Sequence, residues 1–202
     1  MEPQIDIPDP CRAAVAPCQR VLEVDGPEND YSREKEEEQE KAIADHVRKT
    51  DPFFSIQSFF GGVQNKVSAV HYAESPTEIN AYSETDMSPL TEKYRNVIDV
   101  DFQSVSMDSY GADEWFRYAS VRAELRLLEL RGDTVRERSE KLKLTMIKDA
   151  GCKTQAVCGA SVLKCRGCGA AISLMEGKTC EYCGRNLDLK LYDWVIAEYR
   201  IV

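Results

Sequence analysis

The spacing of apolar residues changes near Asn96 and divides the chain into a helical part and a strand-rich part. Before Asn96, apolar side chains recur at steps of three and four, which is the period of a helix with one buried face. The residues that share this face are Ile56, Phe59, Phe60, Val63, Val67 and Val70. We therefore predict a core-facing helix that starts at Asp51-Pro52 and ends before Pro76.

Glycines and Ser-Pro pairs refine this helical part. Gly61 and Gly62 lie inside the long helix, where each glycine costs roughly 1 kcal/mol relative to alanine, so we expect close helix packing or a break there. Serine followed by proline is typical of a helix start, because the serine caps the helix and the proline fits its first turn. Such pairs predict two short helices, which begin at Pro76 and Pro89.

After Asn96 apolar and polar residues alternate, which is typical of a strand with one buried face. The first predicted strand has Ile98, Val100 and Phe102 on its buried face. The alternation then falls out of phase, so we predict a β-bulge near Ser104.

The clearest strands form a predicted hairpin around Gly132-Asp133, a dipeptide typical of tight turns. The strand before the turn places these residues on one face: Ala119, Val121, Ala123, Leu125 and Leu127. The residues that alternate on the strand after the turn are Leu142, Leu144 and Met146. A last strand is predicted in residues 192–202, which are rich in aromatic and β-branched side chains.

The first 50 residues contain few large apolar side chains. Residues 1–30 are predicted to be a disordered tail, because prolines interrupt them throughout. These prolines are Pro3, Pro8, Pro10, Pro17 and Pro27. Residues 31–50 predict a charged lead-in helix, with Ser32 as its cap and acidic residues in its first turn. We expect this helix to be solvated, and the alternative is an acidic docking element for a basic partner.

Composition limits the classes of partner. The chain has 26 basic and 35 acidic residues and a net charge of −9, which argues against nucleic acid and against electrostatic attachment to anionic lipids. It contains no apolar run of the ~20 residues that span a bilayer, and its start lacks the pattern of a secretory signal peptide. We therefore expect a cytoplasmic protein in a reducing compartment.

Four of the eight cysteines form two Cys-x-x-Cys pairs, Cys165 with Cys168 and Cys180 with Cys183. This spacing predicts a tetrahedral zinc site, because a short turn lets both sulfurs of each pair reach one ion. All four ligands are thiolates, so no coordination position remains for a catalytic water. We therefore predict one structural Zn²⁺ ion.

The zinc module occupies residues 160–190 and precedes the last predicted strand. Gly169 and Gly184 follow its two cysteine pairs and are expected to adopt positive φ, which turns backbone amides toward the sulfurs. Because strands precede and follow the module, we predict a zinc ribbon inserted into the sheet domain rather than appended to it.

The remaining candidate ligands carry weaker patterns. The other four cysteines are Cys11, Cys18, Cys152 and Cys158. We expect single thiols there, and the alternatives are a second metal site at the first two or a larger cluster that includes the last two. His46 and His71 have no companion at a metal or triad spacing, so we predict no catalytic histidine. Asp99 and Asp101 share one strand face and are expected to be solvated, with an acid pair as the alternative.

Four stretches of the chain resemble the mitochondrial inner-membrane translocase subunit 44-like domain, in a bacterial form that carries a zinc ribbon. They are Asp51-Pro-Phe-Phe54, Val97-Ile-Asp-Val100, Cys165 to Gly184 and Tyr192-Asp-Trp-Val-Ile196. The resemblance covers residues 51–202, about three quarters of the chain. It implies a cone-shaped α+β fold like that of nuclear transport factor 2, in which a curved antiparallel sheet wraps the N-terminal helices.

The mitochondrial members of this family are peripheral scaffolds that contact lipid and hold the import motor. The resemblance therefore implies a scaffold with a weak contact at the inner face of a membrane. This chain has an acidic N-terminal segment in place of a basic one, which argues against strong lipid binding. In a cone of this kind, Trp115, Tyr118, Trp194 and Tyr199 are expected to belong to the core or to line its mouth.

These observations predict a zinc-binding, non-enzymatic scaffold or protein-interaction module with an unidentified protein partner. Two alternatives stay open. The first is a ligand-binding or enzymatic cone that uses an apolar cavity. The second is a nucleic-acid reader whose basic patch consists of Lys164, Arg166, Lys178 and Arg185.

Overall fold

Four helices precede a sheet in the computed structural model, which describes residues 33–154, 162–173 and 178–202. The helices in these residues are α1 (Arg33–Arg48), α2 (Ile56–His71), α3 (Pro76–Ile79) and α4 (Leu90–Tyr94). None of the described helices is long and apolar enough to cross a membrane. They pack against an antiparallel sheet, so the predicted α+β class is confirmed.

The four-stranded sheet has the order β1-β2-β3-β6, and all neighbouring strands are antiparallel. Its strands are β1 (Val97–Ala112), β2 (Phe116–Arg131), β3 (Thr134–Asp149) and β6 (Val195–Ile201). Between β3 and β6 the chain forms a separate hairpin of β4 (Val162–Lys164) and β5 (Ala171–Ser173). The chain therefore leaves the sheet after β3, passes through this hairpin and a second turn that follows it, and returns as the neighbouring strand. We call the described residues between 162 and 187, which carry four cysteines, the cysteine hairpin.

The hairpin of β2 and β3 forms the centre of the sheet and agrees with the predicted pattern. Arg131 pairs with Thr134, so Gly132 and Asp133 form a two-residue turn, in which Gly132 has a φ of 60°. Glycine adopts this positive φ without strain. The inward residues predicted on both strands are buried: Ala119, Val121, Ala123, Leu125, Leu127, Leu142, Leu144 and Met146.

The first strand is less regular than its sequence pattern predicts. Its register with β2 shifts between Phe102 and Ser104, which confirms the bulge predicted near Ser104. A further shift lies between Val97 and Asp99, where Ile98 is 49% exposed. The prediction that Ile98 faces the core is wrong, because the bulge turns Val97 inward in its place.

Helix α1 belongs to the core. Ile43, Ala44 and Val47 lie on one face of it and are buried in the main apolar cluster. The expectation of a fully solvated helix is therefore wrong for this face, while the opposite face is charged and exposed. The predicted cap Ser32 and the predicted tail at residues 1–30 lie outside the described residues.

Helix α2 begins at Ile56, five residues after the predicted start at Asp51. Ser55 caps it by accepting a hydrogen bond from a backbone amide of the first turn. The helix continues through Gly61 and Gly62, and neither glycine lies in a tight contact with another element. The expected break or close packing at the glycine pair is therefore wrong.

Asp51 instead connects three parts of the fold. It is buried, and its carboxylate accepts from Arg117 Nη1 of β2 at 2.9 Å. The backbone amide and hydroxyl of Thr154 donate to the same carboxylate at 2.9 to 3.1 Å. This cluster fixes the point where the chain leaves β3 for the cysteine-containing hairpin.

The starts of the shorter elements agree closely with the predictions. Helix α3 begins at Pro76 as predicted, and α4 begins at Leu90 rather than Pro89. Strand β6 begins at Val195 rather than at 192, because Leu189–Leu191 form a 3-10 turn before it.

Candidate metal centre

Two similar turns carry the four cysteines. In the first turn, the N–H of Cys165 donates to Ala170 O at 2.8 Å, and the N–H of Gly169 donates to Cys165 O at 2.8 Å. The second turn repeats both bonds, from Cys180 to the carbonyl five residues later and from Gly184 to Cys180. These bonds close each Cys-x-x-Cys pair into a tight loop.

Glycine supplies the backbone geometry of both turns. Gly169 and Gly184 have positive φ values of 76° and 67°, as predicted. Their amides bond to backbone carbonyls, while neighbouring backbone amides approach the sulfurs. The amide nitrogen of Gly167, for example, lies 3.3 Å from Cys165 Sγ. The predicted positive φ and the predicted approach of backbone amides to the sulfurs are therefore both confirmed.

The four cysteine sulfurs lie within 4.8 Å of one another. The distances from Cys165 Sγ to Cys183 Sγ and from Cys168 Sγ to Cys180 Sγ are both 3.8 Å. A tetrahedral zinc ion with bonds of about 2.3 Å to sulfur requires S···S edges of about 3.8 Å. A disulfide would instead bring two sulfurs to about 2.05 Å. The four cysteines are thus positioned to hold one metal ion.

The cluster combines buried and exposed thiols. Cys165 and Cys180 are buried, whereas Cys168 and Cys183 are exposed. Backbone N–H groups of Cys168 and Gly167 lower the pKa of Cys165 to about 6. A backbone amide lowers the pKa of Cys183, but desolvation and contacts with the other thiols outweigh it and raise that pKa to about 11. A metal ion therefore has to displace protons, which makes its binding dependent on pH.

The hairpin packs against the sheet through a second apolar cluster. Its buried members are Cys165, Ile172, Cys180, Leu187, Leu189 and Val195. Val195 belongs to β6, and the partly buried Ile147 of β3 and Tyr82 extend the cluster. Lys178 Nζ of the hairpin also donates to Ser83 O at 2.6 Å. The cysteine cluster therefore packs directly against the edge of the sheet.

The four residues of the predicted basic patch have different environments. Lys178 bonds to the backbone of the helical part. Arg166 donates to Leu191 O at 2.9 Å, and its guanidinium lies 5.5 Å from the centre of the Tyr192 ring. Lys164 and Arg185 are exposed. Half of the predicted patch therefore makes contacts within the chain, which argues against the nucleic-acid alternative.

The remaining cysteines do not extend the cluster in the part of the chain that the structure describes. Cys152 is a buried single thiol outside the four-cysteine group, as predicted. Burial raises its pKa above the ordinary value for a thiol. Cys11, Cys18 and Cys158 lie outside the described residues, so their predicted roles stay predictions.

A buried polar cluster surrounds Glu140 of β3 and was not predicted from the sequence. The carboxylate accepts from Tyr94 OH at 2.5 Å, from Arg138 Nη1 at 2.7 Å and from Lys93 Nζ at 2.9 Å. His71 Nε2 lies 3.5 Å from the same carboxylate. Burial raises the pKa of Glu140, but the contacts with His71, Tyr94 and Lys93 outweigh it and hold this pKa below the ordinary range.

One sequence signal points to this cluster. Glu140 is in phase with Leu142 and Leu144 on the inward face of β3, where the pattern calls for an apolar residue. Its partner His71 has no companion nearby in sequence, and Nδ1 of that ring lies 2.8 Å from Val67 O. The fold brings Glu140 next to His71, a contact that the sequence around His71 does not reveal.

The other polar candidates lie on the surface. Asp101 pairs with Arg126 at 2.6 Å, while Asp99 is exposed and has no ion pair in the described residues. The solvated strand face predicted for these two carboxylates is therefore confirmed. His46 is exposed on α1, and its ring lies 6.4 Å from that of Tyr110.

The aromatic residues expected in the core or at the mouth of a cone lie in different places. Trp194 is buried edge-on to Phe59, with 5.2 Å between the ring centres. Tyr199 joins the buried polar cluster through its hydroxyl. Trp115 is 68% exposed in the turn before β2, and Tyr118 donates to an acidic residue of that turn. A core position is thus confirmed for Trp194 and wrong for Trp115.

A scan against protein-family models, a search of curated proteins and a search of solved structures found no match to this chain. The resemblance to the translocase subunit 44-like domain therefore stays a prediction. The four-cysteine cluster is the feature of the described residues with a defined chemistry, since its sulfur geometry suits one thiophilic metal ion.

Proposed function

We propose that the protein is a non-enzymatic interaction module in which one structural zinc ion secures the cysteine hairpin against the sheet. The spacing of the sulfurs carries this proposal, because all four lie within 4.8 Å of one another and two S···S distances match the 3.8 Å edge of a zinc–thiolate tetrahedron. Four thiolate ligands leave no position for a catalytic water, which favours a structural role for the ion. Thiolate ligands also need a reducing compartment, which favours the cytosol.

The metal is tested by its stoichiometry. Protein purified without chelator is expected to carry one zinc ion per chain, and chelation is expected to expose four further reactive thiols. Cobalt added to the stripped protein is expected to give the d–d absorption of a tetrahedral tetrathiolate site. A protein that binds neither metal, or that binds them without protecting these thiols, would contradict the zinc site.

The second cysteine turn provides the best interaction surface. Tyr182 lies between Cys180 and Cys183 and is 72% exposed. The metal would hold the two flanking cysteines, so this aromatic side chain stands on a rigid turn. Exposed tyrosines on rigid supports are common centres of protein interfaces, because they bury a large area at a low cost in entropy. The net charge of −9 also favours a protein partner over anionic lipid or nucleic acid.

A matched pair of aromatic variants tests this surface. We expect Tyr182→Ala to remove specific partners from an affinity capture with zinc-loaded full-length protein. Trp115→Ala removes a similarly exposed aromatic side chain far from the cysteines in sequence and is expected to retain them. Purified partners should then bind the wild type at least about tenfold more tightly than Tyr182→Ala. Equal binding by both variants would show that the second cysteine turn is not the interface.

The family resemblance supports a scaffold of the same kind. The order of elements, with helices first and the cysteine hairpin between two neighbouring strands, agrees with a translocase subunit 44-like cone that contains a zinc ribbon. The apolar-cavity alternative receives less support, because buried side chains from α1, α2 and the sheet form one continuous cluster.

A further inference from the structure

A cavity of about 620 Å³ opens where α4 meets the β2–β3 turn. Its lining is charged: Glu92, Lys93, Asn96, Glu129, Leu130, Arg131, Gly132 and Arg138. Its volume lies within the range of small-molecule sites, which is roughly 300 to 1,000 Å³. It is distinct from the four-cysteine cluster, which contributes no lining residue.

Two buried carboxylates hold the cations of this cavity in place. Arg138 Nε donates to Glu129 at 2.8 Å, and Arg138 Nη1 donates to Glu140 at 2.7 Å. Lys93 Nζ lies 2.9 Å from Glu140, and Arg131 Nη2 lies 3.3 Å from Glu129. The side chains of Glu129 and Glu140 are 9% and 1% exposed, so both anchors are rigid.

A second layer of residues fixes Glu140 itself. Tyr94 OH donates to it at 2.5 Å, and Tyr199 OH lies 3.2 Å from Tyr94 OH. Burial raises the pKa values of both tyrosines above their ordinary value, so the hydroxyls stay protonated. Support of this kind positions the cations before any ligand arrives, which lowers the entropic cost of binding.

The two buried carboxylates at this cavity have no free oxygen, whereas its cations keep unused N–H donors. Both oxygens of Glu129 and both oxygens of Glu140 already accept from a cation or a hydroxyl. Arginine carries five N–H donors and lysine three, and Arg131 and Lys93 each make one ion-pair contact in the described residues. The cavity therefore offers a ligand unused N–H groups and no unused carboxylate oxygen of these two acids.

The net charge of the cavity also favours a ligand that accepts hydrogen bonds and carries negative charge. The lining contains three cations, Lys93, Arg131 and Arg138, and two carboxylates, Glu92 and Glu129. The cavity thus has an excess of one positive charge in a chain with a net charge of −9. A local reversal of sign in a concave site attracts small anions.

We propose that this cavity binds the oxyanion group, carboxylate or phosphate, of a small molecule. Arg131 and Lys93 contact the anion with their unused N–H groups, and the side-chain amide of Asn96 provides a neutral donor beside them. Arg138 contributes its charge from the back of the cavity. The site is independent of the metal centre and of the proposed protein interface.

Amide NMR shifts of the zinc-loaded full-length protein test this proposal. Sodium phosphate and sodium acetate are titrated separately, against sodium chloride at equal ionic strength. Saturable shifts of Asn96, Leu130 and Gly132 with phosphate alone indicate a phosphate site, and with acetate alone a carboxylate site, and either result supports the proposal. Absence of saturation with both anions, or equal shifts with chloride, overturns it.

Two arginine variants distinguish a specific binding site from non-specific electrostatic attraction. Arg131→Gln removes an exposed cation of the lining and is expected to weaken binding about tenfold, as for the loss of one charge-assisted hydrogen bond. Arg95→Gln removes a cation of similar exposure, 72% against 61% for Arg131, that is not part of the lining, and is expected to leave the affinity unchanged. Equal weakening in both variants shows unspecific attraction and overturns the proposal. Matching unfolding midpoints confirm that both variants are folded.

Discussion

Replacing Cys180 with serine is expected to abolish zinc binding and to lower the free energy of unfolding of the whole chain by at least about 3 kcal/mol. Cys180 is fully buried and is packed with Leu189 and Val195, so its loss removes a metal ligand and a packing group together. A serine hydroxyl does not replace the thiolate as a zinc ligand. Zinc content and thermal unfolding of the two proteins, each with and without chelator, measure the effect.

The destabilisation is expected to extend beyond the hairpin because the hairpin and the sheet share contacts. Val195 of β6 and Ile147 of β3 pack against the cysteine turns. Strand β6 lies at the edge of the sheet, where it pairs with β3 on one side and forms a single bridge, from Ile196 to Ser83, on the other. Loosening the hairpin therefore loosens the last strand. Hydrogen exchange of β6 is expected to rise in Cys180→Ser as well as exchange of the hairpin.

Cys152→Ser is the matched control for this prediction. Cys152 is also a buried thiol near the sheet, but it lies outside the four-cysteine group. We expect this variant to retain one zinc ion per chain and to change the unfolding free energy by about 1 kcal/mol. An unchanged unfolding midpoint in Cys180→Ser would contradict the coupling between hairpin and sheet. Loss of zinc from Cys152→Ser would place Cys152 in the site.

Features set by neighbouring residues could be predicted from the sequence. The alternation from Ala119 to Leu127 and the Gly132 turn depend on residues a few positions apart, and both appear as predicted. The four-cysteine cluster has the same origin, because each Cys-x-x-Cys turn closes through bonds to carbonyls within five residues. Local chemistry therefore accounts for the centre of the sheet and for the metal ligands.

Features that depend on distant partners could not be predicted in this way. Asp51 suggests a helix start by its position before a proline, yet its carboxylate bonds to Arg117, 66 residues away. Ile98 fits an alternating strand, but a shift in the pairing with β2 turns it outward. Helix α1 contains Ile43 and Val47 at helical spacing, and only the presence of the sheet makes this short stripe part of the core. Each error concerns a partner that the local sequence does not contain.

Glu140→Gln is expected to lower the free energy of unfolding by about 3 kcal/mol at neutral pH, because it removes one partner of buried ion pairs. Gln keeps the shape of the side chain, so the change isolates the charge. Lys93 and Arg138 then lose the negative charge that they share, and about two thirds of each side chain is shielded from the water that would solvate it. Denaturant unfolding of the two proteins measures the difference.

The pH dependence of this difference has a definite sign. The pKa of Glu140 is lower in the folded protein than its ordinary value, so folding favours the ionised form. Its contribution to stability is therefore fully present above the unfolded pKa of about 4.3 and is lost as the pH falls toward the folded value. The gap between wild type and Glu140→Gln is expected to be constant between about pH 6 and 8 and to narrow below about pH 4.

Glu124→Gln is the control that compares the stability contributed by buried Glu140 with that contributed by an exposed ion pair. Glu124 pairs with Lys141 at 2.6 Å, but their side chains are 50% and 66% exposed. Exposed pairs contribute little after solvent screening, so this variant is expected to change the unfolding free energy by less than about 0.5 kcal/mol at any pH in this range. A similar loss in both variants would mean that net charge, rather than the buried cluster, governs stability. A Glu140→Gln protein as stable as the wild type would mean that the cluster serves a purpose other than holding the fold, such as positioning the cations of the neighbouring cavity.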